Sequence, residues 1–140
     1  KLNMNSSTVL DCYLIELKSD FLFNANFKNI TSNIDIPFEI KRIYFLYEVL
    51  EGKERGSHAH KDLHQLFIAV SGSFEIEICD STNKKSYLLS EPTKALVIPP
   101  GIWRNIYNFS PNAVCLVLAS ELYNESDYIR DYNKFVNFKR

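Results

Sequence analysis

Between residues 38 and 119 the chain is a succession of short β-rich runs, each closed by turn-forming residues, and few folds accept such a pattern. The runs cover residues 40–50, 65–70, 73–79, 86–89, 95–98, 102–109 and 113–119. Between them stand Glu51-Gly52, Ser71-Gly72, Ser81-Thr82-Asn83, Pro99-Pro100-Gly101 and Ser110-Pro111-Asn112, which favour turns for distinct reasons of backbone geometry. Short strands at this spacing build a sandwich or a barrel. Residues 9–17 alternate loosely and read as one more strand. Residues 20–36, rich in Asn, Ser and Thr, read as a loop with short extended pieces. Beyond Ala119 the period changes. Tyr128, Ile129, Tyr132, Phe135 and Val136 recur at helical spacing, which predicts a C-terminal helix capped by Ser126 or Asn124, with Asp127 in its first turn.

At 140 residues and 46% hydrophobic content, the chain suits one domain with a full core. Eight tyrosines, ten phenylalanines and only four glycines argue against disorder or low complexity. A net charge of -1 provides no basic field for a nucleic acid. Cys12, Cys79 and Cys115 lack C-x-x-C spacing, so neither a disulfide framework nor a zinc knuckle is expected. No signal-peptide pattern or membrane-length apolar run occurs, which predicts a cytoplasmic protein without a membrane partner. Lys1-Leu2-Asn3 reads as a scar ahead of Met4.

Five residues separate Gly52 from His58, His60 follows two positions later, four residues precede Gln65 and six more precede Gly72. This spacing resembles the first cupin motif, in which Gln65 would be a glutamate ligand. Residues 93–108 resemble the second motif through Pro99, Gly101 and Asn108, with Thr93 replacing the opening glycine and Arg104 the ligand histidine. The resemblance implies an all-β fold, an RmlC-like jelly-roll barrel with a short C-terminal helix. Residues two apart on a strand share a face, so His58 and His60 project together, either into the barrel or out to solvent. Gln65 is a neutral amide, and arginine has no lone pair to give. Two imidazoles alone make a poor zinc or iron site, which usually needs roughly three or four protein ligands. Neither a metal nor another cofactor is expected. Imidazoles ordinarily titrate at about 6.5, and protonating one opposes protonating its neighbour. One neutral and one protonated ring near pH 7 would supply a general base beside a general acid.

Four ordered runs narrow the resemblance. They are Asp35-Ile36-Pro37-Phe38-Glu39-Ile40-Lys41-Arg42-Ile43-Tyr44-Phe45, Arg55-Gly56-Ser57-His58-Ala59-His60-Lys61, Pro99-Pro100-Gly101-Ile102-Trp103-Arg104, and Val117-Leu118-Ala119-Ser120-Glu121 with Ser126-Asp127-Tyr128-Ile129-Arg130-Asp131-Tyr132. Together they resemble the dTDP-sugar 3,4-ketoisomerases. That family implies a dTDP-linked 4-keto-6-deoxyglucose substrate, an enediol intermediate and a 3-keto product feeding 3-amino sugars of S-layer or lipopolysaccharide O-antigen glycans. It also implies a metal-free homodimer with exchanged N-terminal strands. On this resemblance residues 1–140 form one domain: 1–36 contribute to the dimer, 37–120 form the barrel, and 121–140 carry the helix. His58 resembles the main acid/base and His60 its partner or relay. Tyr44 resembles the tyrosine that serves the sugar oxygen, and Arg130 the arginine for the oxyanion or diphosphate. The configuration at C4 of the product stays open, as does the division of acid and base between the histidines.

The remaining candidates carry two readings each. Arg55 suits a diphosphate through its planar fork, or a surface ion pair with Glu51 or Glu54. Arg104 points inward and requires an anion, either a phosphate or an internal carboxylate. Trp103, of opposite parity, stacks on thymine or packs in the core. Lys61 binds substrate or sits in solvent, and Gln65 binds substrate or hydrogen-bonds inside the barrel, where it orients a histidine. His64 has the wrong parity and is placed outside the site. A nucleotide-sugar epimerase, a non-enzymatic nucleotide-sugar-binding cupin and a metal-dependent oxygenase are the rival readings, the last opposed by Gln65 and Arg104.

Overall fold

A computed structural model describes residues 5–140, so the scar expected at Lys1-Leu2-Asn3 lies outside the described residues. In chain order the strands are β1 (Tyr13–Glu16), β2 (Asp20–Leu22), β3 (Ala25–Phe27), β4 (Arg42–Tyr47), β5 (Arg55–His60) and β6 (Gln65–Ser71). Then come β7 (Phe74–Cys79), β8 (Lys84–Leu89), β9 (Lys94–Ile98), β10 (Trp103–Tyr107), β11 (Val114–Ala119), β12 (Tyr128–Ile129) and helix α1 (Tyr132–Lys139). One antiparallel sheet has the order β1-β9-β6-β11-β4 and the other β12-β5-β10-β7-β8, while β2 and β3 form a hairpin of their own.

Strand alternation decides what lies between the sheets. Phe67, Ala69, Leu96, Ile98, Cys115 and Val117 of the first sheet meet Phe74, Ile76, Ile78, Leu89 and Ile106 of the second in one buried cluster. Each large side chain buried there contributes roughly 1.5–3 kcal/mol. The opposite face of the first sheet is also covered. Leu66, Ile68, Ala95, Val97 and Leu118 lie beneath Leu17, Ile36 and Phe38. Double coverage explains why β6 reads as an almost unbroken apolar run. Outside the second sheet, Ala59, Cys79, Trp103 and Ile129 pack on Phe135 of α1.

Three local expectations change. Residues 9–17 do not form one strand: Thr8 and Asp11 make a reciprocal capping box around a 3-10 turn at Val9–Asp11, and β1 begins after it. Residues 20–27 form a tight hairpin, with Phe23 and Asn24 both in the left-handed region at φ 52 and 63. The C-terminal helix starts later than its apolar spacing implies. Asn124 caps a 3-10 turn at Glu125–Asp127. Tyr128 and Ile129 are then drawn out to pair with His60 and Ala59. Only then does Asp131 cap α1, its carboxylate accepting from the Lys134 amide at 3.0 Å.

β5 bends where it reaches the interior. Gly56 has φ 92, and a Cβ there would lie 3.0 Å from the Arg104 carbonyl, so only glycine allows β5 and β10 to approach this closely. The β5–β10 register shifts beside Arg104, which faces His58. Arg104 and the histidines are thereby set against one another across neighbouring strands. No helix among the described residues is long and apolar enough to cross a membrane.

Candidate active site

The site is centred on the second half of β5. His58 and His60 do share a face, and it is the inner one. His58 Nε2 lies 3.0 Å from His60 Nε2, with the rings perpendicular. His58 Nδ1 donates to the Gly56 carbonyl at 2.8 Å, and His60 Nδ1 donates to Asp127 Oδ2 at 2.9 Å. Tyr128 of β12 packs against both rings, at 4.9 and 4.3 Å between centroids.

These contacts restrict where protons reside. A carbonyl or carboxylate oxygen only accepts, so each Nδ1 carries a hydrogen. The facing Nε2 atoms are then two lone pairs with no hydrogen between them when both rings are neutral. The pair lacks one proton for its own hydrogen bonds, which is the condition of a base. Its surroundings keep it so. Burial, then the Arg104 charge, pushes His58 down to about 3. Burial pushes His60 down to about 4, against the opposing pull of Asp127. Burial and the Arg104 charge therefore favour the neutral form of both rings over the expected resting state with one protonated ring. Burial disfavours the Asp127 carboxylate, but hydrogen bonds from His60 and the Asp62 amide hold it below the usual range.

Arg104 projects from β10 into the same interior and is 1% exposed. Its Nη1 donates to Gln65 Oε1, while Nε and Nη2 donate to the Ile102 carbonyl at 3.3 and 3.1 Å. Gln65 in turn donates to Tyr44 Oη at 3.0 Å. So the internal carboxylate is not what holds Arg104 among the described residues; neutral oxygens do. Gln65 braces Arg104 and Tyr44 rather than a histidine. Burial raises the Tyr44 phenol above its ordinary range, opposed by the Arg104 charge. A metal does not suit this donor set, because the Gln65 oxygen is committed to a guanidinium and two imidazoles alone remain.

A cavity of about 480 Å³ opens over these groups, lined by Tyr44, His58, Arg104 and Tyr128 with Arg42, Arg55 and Arg130 around them. Arg130 is held at the rim. Glu125 takes it in a two-point ion pair at 2.6 and 2.9 Å, and its guanidinium lies 4.2 Å from the Tyr128 ring centre. That pairing drives the Glu125 carboxyl down to about 2.

Two sequence candidates lie elsewhere. Trp103 packs against Tyr132 and Phe135 of α1, because its parity sends it to the outer face of the second sheet. Lys61 follows His60 and lines a separate groove, as does His64. Trp103 and Lys61 are corrected as residues of the cavity, whereas His64 lies outside it as its parity implied. Conversely, Asp127, Tyr128, Arg42 and Tyr123 belong to the site without having been singled out for it. Arg42 had a legible signal, since it stands two positions before Tyr44 on β4. Its Nε is buried without a partner among the described residues, and its guanidinium lies 5.1 and 5.7 Å from the Tyr44 and Tyr123 rings. Asp127 had none, because a two-residue strand places it.

Comparison with known proteins agrees with this geometry. A family model described as "FdtA: WxcM-like, C-terminal" matches residues 10–140. The chain is 37% identical over 109 residues to the TDP-4-oxo-6-deoxy-alpha-D-glucose-3,4-oxoisomerase of Aneurinibacillus thermoaerophilus, covering 78% of each chain. It superposes on a 3,4-ketoisomerase from Helicobacter canadensis with TM-score 0.89 and 40% identity, covering 92% of this chain and 97% of that one. A variant of the QdtA 3,4-ketoisomerase from Thermoanaerobacterium thermosaccharolyticum, solved with TDP-4-keto-6-deoxyglucose, matches with TM-score 0.89 and 37% identity over 92% of this chain and 94% of that one. The dTDP-4-dehydrorhamnose 3,5-epimerase of Bacillus anthracis matches at TM-score 0.73 with 16% identity over 87% and 81%, which shows the shared cupin barrel alone. By the span of the family model and the identity to its relatives, the chain belongs to the FdtA-like, cupin-type sugar-nucleotide 3,4-ketoisomerases.

Proposed function

We propose that this chain converts TDP-4-keto-6-deoxyglucose to its 3-keto isomer by acid/base chemistry at the histidine pair. The observation that carries this reading is the buried His58–His60 contact beneath an arginine-lined cavity. His58 takes the proton from C3. The C–H electron pair becomes the C3–C4 double bond, the carbonyl pair moves to O4, and O4 takes the Tyr44 phenol proton to give the enediol. Collapse then reverses the sense: O3 gives its proton to the Tyr44 phenolate and becomes the carbonyl, while C4 takes the proton held by the histidine pair. Tyr44 serves the oxygen on which charge develops, with Arg104 and Gln65 fixing the phenol. Arg55, Arg42 and Arg130 receive the diphosphate, whose charge offsets the cationic field on the imidazoles.

The same reading gives a homodimer. Among the described residues the β2–β3 hairpin pairs only with itself and leaves Phe21, Leu22, Phe23 and Phe27 exposed, and β4 is a sheet edge exposing Ile43, Phe45 and Tyr47. Apolar surface of that kind beside an unpaired edge is matched by a second copy whose hairpin adds to the sheet. The reaction belongs in the cytoplasm, ahead of transamination to a 3-amino sugar of an O-antigen or S-layer glycan.

The deciding measurement is proton NMR of TDP-4-keto-6-deoxyglucose incubated with the protein. A 3-keto product is expected, and His58→Asn lowers its rate on the order of 10²- to 10⁴-fold while TDP still binds. Inversion of a ring carbon with the keto group unmoved identifies an epimerase instead. Unchanged substrate overturns the enzyme reading.

A further inference from the structure

His60 does not line the sugar cavity; it stands behind His58, and its second nitrogen faces Asp127. Asp127 lines a different groove, of about 1090 Å³, with Lys61, Asp62 and Ser120. The side chain of His60 is 1% exposed and that of Asp127 12%. A continuous chain of groups able to take and release protons thus crosses the barrel wall, from the cavity through His58 and His60 to a carboxylate at the margin of the second groove. Tyr128 shields the two imidazoles along its length.

We propose that Asp127 is the terminal acceptor of a proton relay, so that the charge created at His58 leaves the arginine-lined cavity. The inference rests on the ketoisomerase reading of this site. As the sugar C–H bond breaks and leaves its electron pair on the substrate, an N–H bond forms at His58 Nε2. That proton crosses to His60 Nε2, the N–H bond at His60 Nδ1 breaks, and an O–H bond forms at Asp127 Oδ2. Asp127 starts as a carboxylate and ends as a neutral acid, while both rings are again neutral. Protonation of the neighbouring sugar carbon runs the same steps backwards. A cationic imidazole beside Arg104 is costly in a buried site, and the relay avoids holding the charge there. Asp127 touches no reacting atom; it is a positioning residue acting through His60.

The test uses the full chain and TDP-4-keto-6-deoxyglucose deuterated at C3, so that hydrogen transfer limits the rate, in mixtures of light and heavy water. In the wild type the rate is expected to depend on the deuterium fraction with curvature, because the hydrogen on His60 Nδ1 moves along with the one delivered to the substrate oxygen. Asp127→Asn keeps a hydrogen bond to His60 but accepts no proton. It is expected to lower kcat on the order of 10²- to 10⁴-fold with KM unchanged, and to make that dependence linear. Asp127→Glu restores kcat and the curvature in part. A merely structural Asp127 would lower kcat and leave the curvature alone, which overturns the relay. So does a linear dependence in the wild type, which decides the matter even where the Asn variant does not fold. A wild type that does not isomerise the sugar at all refutes the activity rather than the relay.

Discussion

Arg104 donates to Gln65 in the middle of the barrel, a permanent cation held by a neutral amide. Among the described residues Arg104 forms no ion pair, and burial draws even its guanidinium down to about 10. An uncompensated buried charge is expensive. Its use here is electrostatic: its charge helps depress both imidazoles, which favours their base form.

Gln65→Glu tests that role. A carboxylate in the same place still accepts from Arg104, and Tyr44 turns to donate to it. The added negative charge offsets the guanidinium and raises both histidines toward their ordinary value of about 6.5. The acidic limb of the kcat profile is expected to move to higher pH, and histidine NMR titrations to move with it. Titrations that stay in place would remove Arg104 from the account of the base.

Restoring both lost ligands is a different experiment. Gln65→Glu together with Arg104→His returns two donors to the interior that His58 and His60 already face, and His60 keeps Asp127 as the carboxylate that orients it. The double variant is expected to retain about one zinc or nickel ion per chain after dialysis, and the wild type none. Equal metal in both would mean that the two substitutions are not what separates this chain from metal cupins.

Residue parity carried much of this site into view. It put His58 with His60 and Trp103 opposite Arg104, and the ligand spacing marked Gln65 and Arg104 as the departures that matter. Parity does not say what covers a face. Trp103 was open between substrate and core until α1 settled over it. Asp127 reaches His60 from 67 residues away. It does so because Tyr128 and Ile129 leave the helical pattern to pair antiparallel with β5, an outcome of tertiary pairing that overrides local propensity. The protonation state is set at the same level, since the field of Arg104 and the depth of burial belong to the assembled barrel.

Trp103 gives a direct check on the placement of the outer face. Trp103→Ala removes the indole on which Tyr132 and Phe135 rest, and is expected to cost about 3–5 kcal/mol by chemical unfolding. Trp103→Phe costs less, and KM for the nucleotide sugar stays at the wild-type value in the Phe variant. A raised KM with unaltered stability would put the indole on the substrate.

The exposed hairpin predicts the assembly. Phe23 is 98% exposed at its tip, and the tilted rings of Phe45 and Tyr47 lie 5.6 Å apart on the outer side of edge strand β4. Light scattering is expected to give the mass of two chains for the wild type. Phe45→Asp, which sets a charge on that face, is expected to give one chain with a lower Tm. A wild-type mass of a single chain rules the dimer out.

Acid stability follows from the same buried pair, and its sign can be worked out. In the unfolded chain both imidazoles titrate at about 6.5. Folded, His58 is pushed to about 3 and His60 to about 4. Below pH ~6.5 the unfolded state binds protons that the folded state does not, so stability is complete above that pH and falls as the pH drops toward the folded values. Each imidazole contributes a slope of about 1.4 kcal/mol per pH unit in that window. Asp127, also depressed, adds loss of the same sign only at lower pH, as it falls through its folded value. Urea unfolding between about pH 7 and pH 5 should show the decline, and His60→Gln should flatten it by removing one of the two groups. A wild-type profile level across that range would mean that the rings take up protons without resistance, and that the barrel does not hold them as neutral bases.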